Sequence, residues 1–318
     1  MEVSVIIPAY NAEAFLERAV QSALQHPEVK ELILVEDGSK DNTLQVCKNL
    51  TKTSSIIKVF QHPKAQNKGA GASRNLGINN ATKEFVAFLD ADDYYTRIRF
   101  QKEKEVFKKY PEADGVYGAI GVDYIDKEGA KTWEERGLNQ ESLTTVNKSI
   151  EPNHLFEFLI SVNNPEKYNG YFHLDAFTLK REALQASNIQ FVPSLLLHQD
   201  TVFIWQISYK LKLYTGEFEN AIAMRGVHAN NRFIHATKIH NSRSKQYKVL
   251  RNWSVRENLK QKVVKRFQKK FFEHTIRSKN KLQLPFFYIY LLFSDTLTRR
   301  DFGKKQLKVI WKLWGRLY

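Results

Sequence analysis

The sequence is poor in cysteine and in long apolar runs, and both shortages exclude whole classes of protein. A single cysteine, Cys47, rules out an internal disulfide framework and a zinc site built from cysteines. The longest apolar run, residues 284–293, is about half the length of a membrane-spanning helix. Met1 leads directly into the strand-like V-S-V-I-I, so we expect no signal peptide and a cytoplasmic protein.

Acidic residues are scarce near the end of the chain. Residues 241–318 carry 21 Lys and Arg against 4 Asp and Glu, whereas the remaining 240 residues carry 28 against 30. The overall composition, 42% hydrophobic and 26% charged, is typical of a globular protein. We therefore predict a globular domain over residues 1–240 and a basic helical region over residues 241–318 that faces an anionic surface.

Apolar side chains recur at helical spacing among the lysines and arginines of this basic region. Basic amphipathic helices that contain Trp and Phe commonly lie in a membrane interface. No nucleic-acid recognition module is apparent, so we expect no nucleic-acid partner. The pattern predicts peripheral membrane contact at the inner face of the cell membrane, and packing of the apolar faces on the first domain is the alternative.

The first 93 residues alternate short apolar segments with helical patterns. Strands are predicted over residues 3–7, 31–35, 56–61 and 85–89. Strands separated by helices indicate βαβ units, so we predict an α/β fold with a mostly parallel sheet flanked by helices. We expect Pro8 to end the pairing of the first strand and Asn11 to cap the following helix.

The following part of the first domain has a more mixed pattern. Helices are predicted over residues 98–110, 155–162, 180–186 and 202–209, and strands over 115–126, 174–179, 211–215 and 221–224. The sequence D-K-E-G at residues 126–129 predicts a hairpin turn.

Three polar clusters come directly after predicted strands, at residues 8–11, 36–41 and 90–93. The carboxyl ends of parallel strands meet at one edge of a sheet, where open α/β sheets bind their ligands. Asp90 and Asp92 offer the oxygen ligands that Mg²⁺ and Mn²⁺ prefer. We therefore predict a divalent metal site against a diphosphate, although a solvated acidic loop would give the same D-x-D pattern.

A Gly-rich turn over residues 67–75 has two interpretations. Its G-A-G-A-S-R resembles the dinucleotide-binding G-x-G-x-x-G, but Arg74 stands where the third glycine belongs and the turn follows the third strand. We therefore expect no dinucleotide-binding fold. Arg74 is instead a candidate partner for Asp90 or for a phosphate, and an ordinary structural ion pair is the alternative.

Three side chains later in the sequence are further candidates. Asp200 stands at the start of a helical pattern, which suits an N-cap, a general base with a free oxygen, or both. His228 is a candidate third metal ligand, because imidazole suits Mn²⁺ beside a carboxylate. His173 suits either an acceptor contact or a structural role.

Taken together, these motifs resemble those of the inverting glycosyltransferases of family 2. V-S-V-I-I-P-A-Y-N, V-E-D-G-S-K-D-N-T, G-A-G-A-S-R-N-L-G, F-L-D-A-D-D, H-Q-D and R-G-V-H-A-N-N-R follow one another in the order of that family. The resemblance covers roughly residues 1–235. It implies a GT-A fold with a Rossmann-like nucleotide-binding half.

The resemblance also implies a nucleotide site. Pro8 and Tyr10 would line the nucleoside pocket, with Tyr10 stacking on the base. Asp37 would hydrogen-bond the uracil edge. Asn67 and Arg74 would lie near the base and the acidic residues that follow the fourth strand.

The remaining matched residues would carry the chemistry. Asp90 would face the ribose or the sugar, and Asp92, with His228 as a further candidate ligand, would bind Mn²⁺ or Mg²⁺ against the diphosphate. Asp200 would be the general base. Gln199 stands where the family usually has an acid, and a neutral side chain there removes a like charge beside Asp200.

The expected function is therefore metal-dependent, inverting transfer of a sugar from a nucleotide sugar, with a UDP-sugar as the expected donor. The acceptor would be a hydroxyl of a glycan or a lipid-linked molecule in polysaccharide or cell-surface glycan synthesis. A catalytically silent sugar-nucleotide-binding or membrane-docking protein is the alternative, and the retained Asp92 and Asp200 oppose it. A nucleotidyltransferase is a third option, but no Gly-rich phosphate loop follows the first strand.

Overall fold

The computed structural model describes residues 1–135, 146, 148–160, 172–229, 231 and 239–278. The chain divides into two units, Met1–Thr237 and Lys238–Tyr318. The apolar and basic patterns noted beyond residue 278 lie outside the described residues. None of the helices in the described ranges is both long and apolar enough to cross a membrane.

The described strands are β1 (Val3–Ala9), β2 (Val29–Glu36), β3 (Ile57–Gln61), β4 (Phe85–Phe88), β5 (Tyr94–Tyr95), β6 (Gly115–Tyr117), β7 (Ile120–Tyr124), β8 (Phe177–Lys180), β9 (Leu213–Thr215) and β10 (Ala223–Val227). The helices of the first unit are α1 (Leu16–Leu24), α2 (Thr43–Leu50), α3 (Ala70–Asn80), α4 (Gln101–Lys109), α5 (Lys127–Glu135), α6 (Pro152–Leu159), α7 (Arg181–Ala186) and α8 (Gln199–Lys210). Those of the second unit are α9 (Ile239–Arg256) and α10 (Gln261–Ser278).

The main sheet has seven strands in the order β3-β2-β1-β4-β8-β6-β9, and β8 alone runs antiparallel to its neighbours. A smaller sheet has the order β5-β10-β7. The predicted α/β fold with a mostly parallel sheet flanked by helices is confirmed. Because β8 is reversed, its first residue lies at the edge where β1, β2 and β4 end; we call this the carboxyl edge.

The core forms where α1 and α2 pack on one face of the main sheet. Leu16, Ala19, Val20 and Ala23 recur three and four residues apart and form the buried face of α1. Burial of a Leu or Val side chain of this kind stabilises the fold by about 1.5–3 kcal/mol. Cys47 of α2 is fully buried in this core, and burial together with the nearby Glu36 charge raises the pKa of its thiol to about 12.

Pro8 does not end the first strand, contrary to the prediction, because β1 pairs with β2 as far as Ala9. The Ala9 carbonyl accepts from Asp37 on the β2 side, and the Ile6 carbonyl accepts from Leu89 on the β4 side. Alternate residues of a strand face alternate neighbours, so Pro8 faces the β4 side. Pairing with β4 stops at Ile6, and the missing N–H of Pro8 therefore breaks no ladder bond.

Two other local predictions are wrong. Asn11 does not cap α1: its side chain accepts a hydrogen bond from the Lys40 N–H (2.8 Å) and so joins the loops after β1 and β2. Residues 126–129 form the start of α5 rather than a hairpin turn. The Asp126 carboxylate accepts from the Gly129 N–H (2.6 Å), which is the bond that a helix N-cap makes.

A fully buried ion pair lies under the carboxyl edge. Arg99 and Glu103 are 0% and 1% exposed and form a salt bridge one turn apart. Arg99 Nε donates to the Asp175 carbonyl (2.9 Å), and Thr178 Oγ1 donates to Glu103 (3.0 Å). The pair therefore ties α4 and the segment before it to the beginning of β8.

The second unit consists, in its described part, of α9 and α10. Residues 257–260 separate the two helices. The two helices pack on one another, with the Tyr247 and Phe267 rings 6.4 Å apart and a hydrogen bond between Ser244 and Thr275. Residues 239–278 contain 12 Lys and Arg and only two acids, Glu257 and Glu273.

Candidate active site

The ends of β1 and β2 lie side by side at the carboxyl edge. The Asp37 N–H, just past β2, donates to the Ala9 carbonyl at the end of β1 (2.9 Å). Pro8 and Tyr10, both half-buried, belong to the same strand end. The structure thus brings together three of the residues predicted to line a nucleoside site.

The Asp37 carboxylate ties the Gly-rich turn to the end of β2. It is 2% exposed and accepts from the N–H groups of Lys68 and Gly69, each at 2.8 Å. Gly38 has φ +71°, and a Cβ there would meet backbone of the 65–67 segment at 2.5 Å, so the close approach requires glycine. The exposed Asn67 is part of this approach and lies beside Asp37.

Arg74 of α3 pairs with the first carboxylate of the acidic turn, residues 90–93. The predicted ion pair is present: Arg74 Nη2 donates to Asp90 Oδ1. Arg74 is 5% exposed, and its guanidinium lies over the Phe191 ring at 5.4 Å. Burial opposes the charge of Arg74, but the carboxylates of Asp90, Asp200 and Asp175 outweigh that cost and raise its pKa.

The two predicted metal ligands, Asp92 and His228, lie side by side although they are 136 positions apart in the sequence. His228 Nε2 lies 3.2 Å from Asp92 Oδ2, and Asn231 Nδ2 donates to the same oxygen (3.0 Å). Phe15 stacks on the His228 ring with centroids 4.5 Å apart, which orients the imidazole. A Cβ on Gly226 would lie 2.2 Å from the Asp92 carbonyl, so β10 approaches the acidic turn, residues 90–93, as closely as backbone allows.

The donor atoms of Asp92 and His228 fit a divalent cation. An octahedral ion with ligands at about 2.1 Å holds adjacent ligand atoms roughly 3 Å apart, which the 3.2 Å separation approaches. The Asp92 side chain is 34% exposed and so is accessible from the carboxyl edge. Within the described residues His228 Nδ1 is buried without a hydrogen-bond partner.

A second group of potential ligands, Asp90, Asp93, His173 and Asp175, has donor atoms within 4.8 Å of one another. Most of these atoms already have partners: Asp93 accepts from the Gly226 N–H (2.8 Å), and Asp175 accepts from the Asp90 N–H (2.9 Å). His173 Nδ1 lies 3.0 Å from the other Asp175 oxygen. These bonds support the acidic turn from inside, and the same donor atoms are of the kind that bind a metal ion.

Two carboxyl groups of this cluster, Asp93 and Asp175, have pKa values that are shifted in opposite directions. Burial, followed by the charge of Asp175, raises the pKa of Asp93 well above its ordinary value. Burial also disfavours the charge of Asp175, but His173 and a hydrogen bond from Asp93 outweigh it and hold the pKa of Asp175 below its usual range. Asp93 therefore holds a proton more tightly than Asp175 does.

Asp200 occupies the second position of α8. His198 precedes the helix with a left-handed φ of +64° and stands at the cap position, so the N-cap interpretation of Asp200 is wrong. The Asp200 side chain is half-buried. The preceding Gln199 lies directly against α3, because a Cβ on Gly71 would be 1.9 Å from Gln199 Oε1.

Two residues of this site, Asn231 and Asp175, had no role in the sequence-based prediction. Asn231 stands inside the quoted R-G-V-H-A-N-N-R motif, which was the available signal. No motif in the sequence marks Asp175 as a site residue, because it precedes β8 and only the structure shows that β8 is antiparallel.

Comparison with known proteins identifies the family. Residues 4–168, about half of the chain, match the family model described as Glycosyl transferase family 2. This chain belongs to glycosyl transferase family 2. The matched part of this family 2 chain contains β1 to β4, the Gly-rich turn and the acidic turn. The helix that carries Asp200 and the strand that leads to His228 lie beyond it.

Curated relatives of this family 2 chain include a teichoic acid biosynthesis protein and a glucosyltransferase. It is 30% identical over 220 residues to the minor teichoic acid biosynthesis protein GgaA of Bacillus subtilis, covering 66% of this chain and 44% of the relative. It is 33% identical over 145 residues to the GalNAc(5)-diNAcBac-PP-undecaprenol beta-1,3-glucosyltransferase of Campylobacter jejuni, covering 44% and 45%. The chain spans less than half the length of these curated relatives.

Among solved structures, the family 2 chain is similar to residues 1–349 of S. aureus TarS in complex with UDP-GlcNAc. The TM-score is 0.62 at 19% identity, and the match covers 95% of this chain and 78% of that one. The similarity confirms the predicted GT-A fold.

Proposed function

We propose that this chain is an inverting, metal-dependent glycosyltransferase. It transfers a sugar from a UDP-sugar to a hydroxyl of a glycan or a lipid-linked acceptor in polysaccharide or cell-surface glycan synthesis. The observation that carries the proposal is the position of α3, whose Arg74 pairs with Asp90 and whose Gly71 lies against Gln199, the residue before Asp200. A donor-side acid and the helix of the candidate base therefore lie beside one helix at the carboxyl edge.

The comparisons support the choice of donor and acceptor classes. The TarS fragment is described in complex with UDP-GlcNAc, which supports a UDP-sugar as the donor here. The name of the Campylobacter jejuni relative contains PP-undecaprenol, which supports a lipid-linked acceptor, and that of GgaA supports a role in the cell envelope.

In this proposal the nucleotide binds where β1 and β2 end. Pro8 and Tyr10 line the nucleoside, and Tyr10 stacks on the base. Each Asp37 oxygen accepts one backbone N–H, and a carboxylate oxygen has a second lone pair that can accept the uracil N–H. Asn67 borders the base from the Gly-rich turn.

The diphosphate binds at the acidic turn. Asp92 and His228 would hold Mn²⁺ or Mg²⁺, and Asp90 would face the ribose or the transferred sugar. When bound, the metal neutralises the charge that grows on the leaving diphosphate. Arg74 orients Asp90 through their ion pair, so that Asp90 presents its other oxygen to the donor.

Asp200 acts as the general base. It takes the proton from the acceptor hydroxyl, whose oxygen then attacks the anomeric carbon in line with the departing nucleoside diphosphate. Attack from the side opposite the leaving group inverts the anomeric configuration. The half-buried position of Asp200 leaves carboxylate surface for the acceptor.

Turnover should require a divalent cation. Incubation with a panel of nucleotide sugars, acceptor glycans and Mn²⁺ should release UDP from a UDP-sugar, and chelation by EDTA should stop the release. Asp92→Asn should raise the Mn²⁺ concentration for half-maximal turnover by at least about tenfold. Asp114→Asn, which changes an aspartate directly before β6, should leave this Mn²⁺ concentration unchanged. Nucleotide binding without turnover across the panel would instead favour a silent binding protein.

We also propose that α10 contacts the membrane at its cytoplasmic face. Lys262, Lys265 and Lys269 are exposed and lie three and four residues apart, so they form one stripe on α10. Phe267 and Val263 of the same helix are buried. The contact is therefore electrostatic, with each lysine near an anionic surface contributing about 1 kcal/mol.

Binding to vesicles that contain anionic lipid should therefore weaken as salt is added. Replacing Lys262, Lys265 and Lys269 with Glu should weaken cosedimentation by at least about 100-fold. A variant in which Glu replaces Lys30, Lys48 and Lys52 has the same net charge as the α10 variant and serves as the control. An equal loss in both variants would show a general charge effect and contradict a contact through α10.

A further inference from the structure

We infer that Asn75 is a positioning residue that holds the helix of the catalytic base in place against the donor site. The inference rests on the proposed function. Asn75 follows Arg74 on α3, but its side chain faces a different partner. It contacts the segment that leads into α8, and not the acidic turn.

Asn75 forms a two-bond clamp with the backbone of Phe191. Asn75 Nδ2 donates to the Phe191 carbonyl (2.8 Å), and the Phe191 N–H donates to Asn75 Oδ1 (2.9 Å). The two residues are 116 positions apart in the sequence. Both polar groups of the amide are used, and only Asn offers this donor and acceptor pair at this length.

Phe191 links the two Asn75 hydrogen bonds to α8 through a ring contact. Its ring is 1% exposed and stacks on Phe203 with centroids 4.0 Å apart and an interplanar angle of 8°. Phe203 stands three residues after Asp200, so the two side chains are neighbours on one face of α8. Phe88 of β4 contacts both rings edge-on, which fixes the stack on the strand that ends in the acidic turn.

A second contact holds the first turn of α8. Gln199 lies so close to Gly71 that a Cβ there would be 1.9 Å from its Oε1 and 3.2 Å from the Phe191 Cβ. One helix, α3, thus contacts the donor site through Arg74, the base helix through Gly71, and the segment before the base helix through Asn75. The distance between Asp90 and Asp200 is set across α3.

Asn75→Ala should lower kcat for sugar transfer by about 10-fold to 100-fold, because a displacement of about 1 Å at a reacting group has a cost of this order. The dissociation constant of UDP, measured by titration calorimetry, should stay within about twofold, because both hydrogen bonds described for the Asn75 side chain go to the Phe191 backbone and not to a nucleotide-site residue. Asn75→Asp, which keeps the acceptor and the shape but loses the donor, should fall between Asn75→Ala and the wild type.

Asn80→Ala is the matched control, because Asn80 lies on the same helix and donates only to the Leu76 carbonyl (2.8 Å). It should transfer sugar at the wild-type rate. If the wild type itself transfers no sugar, the proposed function fails. If the wild type transfers and Asn75→Ala equals Asn80→Ala, the positioning role fails. Loss of UDP binding in both Asn75 variants would also overturn it, because the clamp would then hold the donor site or the fold.

A double variant tests whether Asn75 acts through Asp200. In an Asp200→Asn background, Asn75→Ala should cause no further loss of transfer, because there is no base left to misplace. A merely structural role for Asn75 would reduce the rate by the same factor in both backgrounds, and that result would contradict the inference.

Discussion

Replacing Asp200 with Asn should lower sugar transfer by about 100-fold to 10,000-fold, the range that general-base catalysis supplies. Asparagine has nearly the same shape as aspartate but cannot accept the proton of the acceptor hydroxyl. The effect should appear in kcat, measured as UDP release in the presence of acceptor. UDP binding, measured by titration calorimetry, should remain close to that of the wild type.

Glu182→Gln is a matched control for this substitution. Glu182 is an exposed acid at the second position of α7, as Asp200 is at the second position of α8, but it lies outside the carboxyl edge. It should transfer sugar at the wild-type rate. Undiminished transfer by Asp200→Asn would show that another group removes the proton.

The largest expected loss of stability follows from Arg99→Met. The substitution leaves Glu103, which is 1% exposed, without its cation, and burial already raises the pKa of Glu103 against the opposing effect of Arg99. Breaking a buried ion pair in this way costs about 3–5 kcal/mol. The free energy of unfolding, measured by urea denaturation followed by circular dichroism, should fall by this amount.

Lys102→Met provides the comparison on the same helix. Lys102 pairs with Glu105, but their side chains are 50% and 66% exposed, and such surface pairs contribute little to stability. The double substitution Arg99→Met with Glu103→Leu should recover most of the stability, because it removes the unpaired charge. Equal stability of Arg99→Met and the wild type would rule out a supporting role for the pair.

The part of the fold that local patterns encode was predictable. β1, β2 and β4 are short, mostly apolar segments bounded by polar turns, which is the pattern of a strand that is buried on both faces of a parallel sheet. The polar residues after β1, β2 and β4 meet because parallel strands end at one edge. The ion pair between Arg74 and Asp90 was predictable from the same topology.

The part of the site that the sequence did not predict depends on the direction of β8 and on contacts between residues that are far apart in the sequence. Asp175 reaches the carboxyl edge because it precedes β8, which is antiparallel, whereas in a parallel strand only the residues that follow the strand lie at this edge. Asn75 meets Phe191 across 116 positions. The start of α5 was mistaken for a hairpin turn because D-K-E-G suits both, and only the hydrogen bond to Gly129 distinguishes them.

Cys47 has a practical consequence for labelling experiments. It is the sole cysteine, it is fully buried, and its thiol has a pKa of about 12, so very little reactive thiolate is present near neutral pH. A cysteine introduced at Leu196, which is 77% exposed and lies four residues before Asp200, would therefore be the one site that a maleimide dye modifies. Fluorescence from that position would report movements beside the base helix in the otherwise native sequence.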